Sequence, residues 1–228
     1  MININNYNSF KPHTPIRFGR HLSEESCPIS EVENLILKII EIKSPALKAH
    51  SIGVSMYSEA LAKAAGCSEE EIDLATIGGL LHDTGKLGTP DEYFLGKFEP
   101  RLVAINNLHT INGEQILQNI HIFRDTVAKT ARHHHENWNG NGYPDKLKGK
   151  DIDKISRIIA IADSIDAITR SRYPGQQTKS LENAVNRLRE DNDGRWDPQL
   201  TKIFVRIFKT NDYELYRKVK EKASLGMN

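Results

Sequence analysis

The chain has 228 residues, 31 basic and 30 acidic side chains and a formal charge of +1. With 38% hydrophobic and 27% charged residues, it has the profile of a globular protein, neither disordered overall nor fibrous. The charge balance gives no global field for a nucleic-acid polymer, and no stretch approaches the roughly 18 apolar residues of a membrane span. The N-terminus lacks the apolar core of a secretion signal, and the two cysteines, Cys27 and Cys67, show no CxxC spacing or disulfide framework. Both read as free thiols in a reducing compartment, with the cytoplasm as the expected location.

Residues 1 to about 29 are rich in Asn and Pro, carry Lys11, Arg17 and Arg20, and show no period; they read as a flexible tail. From about Ser30 apolar residues recur every three or four positions, as in Val32, Leu35, Ile36, Ile39 and Ile40, which predicts a helical body. A second helix is predicted from Ser44 to Ala65, stopped by Gly66. Ser68 followed by Glu69, Glu70 and Glu71 is an N-cap with an acidic first turn, opening a third helix that runs into Leu80 and Leu81. Further helices fit Pro100 to Asn107, Ile111 to Asn119, Arg124 to His135, Ile152 to Arg170, Leu181 to Glu190 and Pro198 to Phe208. Two segments, Gly85 to Lys97 and Asn137 to Lys150, are punctuated as loops.

Seven of the nine histidines fall from His50 to His135. His82 and Asp83 end an apolar run, and Asp163 interrupts another, Ile158 to Ala162. Buried imidazoles and carboxylates cost several kcal/mol unless they are paired with one another or bound to metal. With His50, His109 and the triplet His133, His134 and His135, the chain offers nitrogen and carboxylate ligands of the mix that suits Fe, Mn or Zn. Lys86, three residues after Asp83, serves either the helix dipole or an anion such as a substrate phosphate.

The run His82-Asp83-Thr84-Gly85-Lys86, then His134-His135-Glu136-Asn137-Trp138-Asn139-Gly140-Asn141-Gly142-Tyr143-Pro144, resembles the HD-GYP family of HD-domain metal-dependent phosphohydrolases. The likeness extends from His50 through His109, the segment Ile159 to Thr169 and Trp196-Asp197-Pro198, about 160 residues in all. It implies an all-α HD-domain helical bundle with an HD-GYP-type loop and extra helices. The divisions are then residues 1–29 as tail, 30–210 as catalytic domain and 211–228 as a C-terminal helical extension.

The resemblance also implies a metal-dependent phosphodiesterase of cyclic di-GMP or a close cyclic dinucleotide, working through a metal-bridging hydroxide. The implied ligands are His50, His82, Asp83, His109, His134, His135 and Asp163, with Asp83 as the bridge and His133 left outside. Lys86 would stabilise the phosphate or protonate the leaving sugar oxygen, Arg172 would hold a phosphate, and Tyr143 would shape a wall of the site or a docking face. Ala46 stands where three-metal members have Glu, so two divalent ions, Fe or Mn, are expected.

Asn139 replaces the usual Asp of the signature loop, and Tyr173-Pro174-Gly175 omits a family cation unless Lys179 supplies it. Those departures keep two other readings open, an HD-type phosphohydrolase of another nucleotide or phosphoester and a non-catalytic nucleotide- or partner-binding signalling module. The first 30 residues are too few for a sensor domain, so input from a regulatory protein partner, from concentration or from metal oxidation is expected.

Overall fold

The computed structural model describes residues 29–97, 99–171, 173–191, 193–210 and 214–225. They form an all-α assembly with no strand among them. The helices are α1 (Ile29–Lys43), α2 (Pro45–Ala64), α3 (Glu69–Leu81), α4 (Asp91–Phe94), α5 (Pro100–Asn107), α6 (His109–Leu117) and α7 (Val127–His133). They continue with α8 (Lys154–Thr169), α9 (Leu181–Arg189), α10 (Pro198–Thr210) and α11 (Glu214–Leu225).

Local chemistry sets the boundaries. Ser44 caps α2 by accepting from the Leu47 amide at 3.2 Å, with Pro45 at the first helical position, where a missing N–H costs nothing. Ser68 and Glu71 complete a capping box at α3, each side chain accepting from the other's backbone. Asp153 and Ser180 cap α8 and α9 as Ser44 caps α2, accepting from the Ser156 and Asn183 amides.

Three elements depart from the expected pattern. The segment Gly85 to Lys97 is not a plain loop: it holds a 3-10 turn over Thr84–Gly88 and the short α4. Helix α6 starts at His109, two residues before the apolar period does, because only Leu108 separates it from α5. Helix α7 starts at Val127 rather than Arg124.

Helix α2 is central and lies against α1, α3, α8, α10 and α11. Its Val54, Tyr57 and Leu61 enter one core with Ile158, Ile161, Leu188 and Phe204, while Leu47 and Ile52 enter a second with Ile36, Ile40, Leu81, Leu117 and Ala131. Helix α11 adds Val219 to the first core.

Candidate metal centre

Three histidines stand at helix ends. His82 directly follows α3, His134 directly follows α7, and His109 comes two residues after the last residue of α5. Each ring donates from Nδ1 to the carbonyl three residues earlier: His82 to Gly79 at 2.7 Å, His109 to Asn106 at 2.6 Å and His134 to Ala131 at 2.9 Å. Those carbonyls belong to last helical turns, where intrahelical donors run out. A carbonyl only accepts, so Nδ1 carries the proton and Nε2 is left with a lone pair aimed inward. His50 lies inside α2, where the carbonyls are taken; it donates from Nδ1 to Asp166 Oδ2 at 2.8 Å.

The lone pairs converge on Asp83, which is 1% exposed. Its Oδ2 lies 3.3 Å from His82 Nε2 and 3.6 Å from His50 Nε2, whereas Oδ1 lies 3.3 Å from His109 Nε2 and 3.8 Å from His134 Nε2. Asp163 Oδ1 joins the first side, 3.2 Å from His50 Nε2. His135 stands beside the second, its ring centroid 4.2 Å from that of His134 and 5.0 Å from that of His109. Two groups of ligand atoms result: His50, His82 and Asp83 form one, and His109, His134 and His135 the other, each within 4.8 Å.

The donor set fits a pair of cations. The buried atoms His50 Nε2, His82 Nε2 and Asp83 Oδ1 have no hydrogen-bond partner. His109 and His134 point Nε2 lone pairs at each other across 3.2 Å, a contact that repels unless a positive charge stands between them. Burial, reinforced by Lys86, holds the His109 imidazolium down to a pKa of about 4. Burial and neighbouring histidines hold His134 and His135 well below the ordinary value. Burial alone would raise the Asp83 and Asp163 carboxyls, but His82 and Lys86 around the first, and His50 around the second, pull both well below the usual range. These groups therefore rest as neutral imidazoles and anionic carboxylates, the forms that bind metal. His50 differs: burial lowers its pKa, but bonding to Asp163 and Asp166 outweighs burial and raises it.

Lys86 is buried beside this centre, its Nζ 2.5 Å from Asp83 Oδ2. Tyr143 stacks near His135 at 5.0 Å between centroids, and its backbone N–H donates to the His135 carbonyl at 3.2 Å. His133 faces away, bonded through Nε2 to Asp145 at 2.9 Å. Arg172 lies outside the described residues. Lys179 lines a groove with Asn183 and Arg187 that includes none of the seven expected ligands. Asn139 is not a weakened Asp: its amide donates to the Asp193 carbonyl, which a carboxylate could not do, while its oxygen accepts from the Asn141 amide.

Sequence reasoning passed over the residues behind the ligands. Asp166 receives His50 Nδ1 and both arms of Arg170, at 2.7 and 2.9 Å. A β-carbon on Gly53 would overlap the Asp166 carboxylate, so only glycine lets α8 bring that acid against α2. The usable signal was an acid pair at i and i+3, Asp163 and Asp166, with an arginine at i+4 from the second. Glu136, 3% exposed, accepts from the amides of Asp145 and Leu147 and so folds the signature loop back beneath His135.

Comparison with known proteins gives matches across most of the chain. The HD domain family profile matches residues 34–200. A 3'3'-cGAMP-specific phosphodiesterase of Vibrio cholerae is 34% identical over 86% of this chain and 45% of its own length. A cyclic di-GMP phosphodiesterase of Thermotoga maritima is 30% identical over 84% of this chain and 54% of its own length. The chain thus spans about half the length of these relatives. Among solved structures, an HDG"Y"P protein from Bdellovibrio bacteriovorus aligns with a TM-score of 0.58 and 25% identity, covering 79% of this chain and 63% of that one.

Proposed function

Because the chain belongs to the HD domain family, we propose that it is a metal-dependent phosphodiesterase that opens a cyclic dinucleotide. The observation that carries this reading is Asp83, whose two oxygens face separate sets of imidazole lone pairs. His50, His82, Asp83 and Asp163 would hold one divalent ion, and Asp83, His109, His134 and His135 the other, with Fe or Mn as the ions. Bound there, the pair would supply Lewis acidity toward a phosphodiester oxygen and a water acidic enough to attack phosphorus at neutral pH.

The chain's own residues do the rest. Asp83 fixes the spacing of the two positions. Lys86, with its ammonium already at the mouth of the Asp83 carboxylate, holds a proton at Nζ for a phosphate oxygen or the departing sugar oxygen. Tyr143 and the loop behind it form one wall, and Arg172 would bind a second phosphate. The names of the two relatives support a cyclic dinucleotide, cyclic di-GMP or 3'3'-cGAMP, as substrate. Residues 30–210 would form the catalytic unit, acting in the cytoplasm under a regulatory protein partner. Helix α11 would be an extension seated on α2.

The test is anaerobic incubation of the Mn- or Fe-loaded chain with each cyclic dinucleotide, followed by chromatography. Linear dinucleotide is the expected product. Consumption of a simple phosphoester, with both cyclic substrates untouched, would overturn the substrate assignment and leave a different phosphohydrolase.

A further inference from the structure

The two halves of the centre differ in what stands behind them. His82, His109 and His134 each donate Nδ1–H to a neutral backbone carbonyl. Among the ligating histidines, only His50 is seen to donate to a carboxylate, Asp166, itself 1% exposed. Arg170, 6% exposed, grips both oxygens of that acid, and the missing side chain of Gly53 gives it room. A carboxylate behind an imidazole fixes the ring and raises its basicity toward a metal.

Charge adds to the asymmetry. Around His50 and His82 stand three carboxylates, Asp83, Asp163 and Asp166, against two cations, Lys86 and Arg170. Arg170 Nε and His50 Nδ1 meet the same Asp166 oxygen, Oδ2, at 2.7 and 2.8 Å. The carboxylate within 4 Å of the His109 and His134 rings is Asp83, through its other oxygen, while Asp163 also acts on His135.

We propose that Asp166, clamped by Arg170 and acting through His50, makes the two metal positions unequal. The position of His50, His82, Asp83 and Asp163 fills first and more tightly than that of His109, His134 and His135. Asp166 is a positioning residue, and this inference rests on the two-metal reading above.

The experiment is titration of the metal-free full chain with Co(II), following visible absorption and bound metal together, with no turnover involved. Wild type is expected to take two equivalents in two resolved steps. Asp166→Asn keeps the shape and removes the charge; it should weaken the first step by about 10- to 100-fold and leave the second in place. A merely structural role, stapling α8 to α2, would disturb both steps alike. Should Asp166→Asn fail to fold, His135→Ala tests the order from the other side, since it should abolish the second step and preserve the first. Two equivalents binding as one class, equal or no weakening in Asp166→Asn, or loss of the tight step in His135→Ala would each overturn the inference. Binding of fewer than two equivalents by wild type would instead defeat the two-metal reading, and this inference with it.

Discussion

Asp83 and Lys86 are neighbours with opposite duties, and substitution separates them. Removing the ammonium 2.5 Å from Asp83 Oδ2 takes away a charge that repels a cation. Lys86→Ala should therefore keep its metal while turnover falls by about 10²- to 10⁴-fold, the range for loss of a general acid or phosphate-binding cation. Metal analysis and product formation on one preparation check this, and metal lost along with rate would contradict the role. His109 gives a second prediction, for the metal-free protein. Its folded pKa of about 4 lies below the unfolded value near 6.5, so as pH falls the unfolded chain is protonated first. The stability from the neutral ring is whole above about pH 6.5 and is lost progressively toward pH 4, where the loss amounts to about 3 kcal/mol. His134 and His135 act in the same sense, His50 and His133 in the opposite one, and Asp83 and Asp163 lose their contribution only below about pH 4. Thermal unfolding of the chelated protein should thus weaken between pH 7 and 4, and less so in His109→Gln; identical profiles would contradict the shift.

At the scale of elements, the centre depends on how closely the Thr84–Gly88 turn meets α6. A β-carbon on Gly85 would overlap the His109 carbonyl and the Gly113 amide, so α6 can bring His109 to Asp83 only because position 85 has no side chain. Gly85→Ala should cost about 1–3 kcal/mol in urea unfolding and release the ion that His109, His134 and His135 are proposed to hold. Full metal occupancy in that variant would contradict the coupling. This contact also marks where sequence reading stops. The caps at Ser44 and Ser68 and the apolar period of α3 and α8 are local, so they are legible in the chain itself. Gly85 and Gly88 read as loop punctuation because their close approach to α6 is made by tertiary packing. His82, Asp83 and Asp163 were readable as polar residues ending or interrupting apolar runs, whereas the full set of seven candidate ligands came only with the family resemblance. Asp166 hid inside the same run as Asp163, since nothing local says that α2 presents a glycine opposite it.

For the whole molecule, the candidate ligands come from α2, the end of α3, α6, the end of α7 and α8; α2 and α3 enter both cores, α8 the first and α6 and α7 the second. No helix among the described residues is long and apolar enough to cross a membrane. Bringing carboxylates and facing imidazole lone pairs together in the interior is unfavourable without cations, so metal binding and tertiary stability are linked. The signature loop reaches from His134 back across the molecule, tied by the Trp138 amide to the Arg195 carbonyl and by Asn139 to Asp193, so its shape depends on the segment before α10. The measurement that tests the account most directly is metal counted per chain after anaerobic Mn loading of wild type and Asp83→Ala, with helical circular dichroism recorded on both. The account predicts two ions in wild type and none in the variant, on an unchanged helical signal; two ions retained without Asp83 would contradict it.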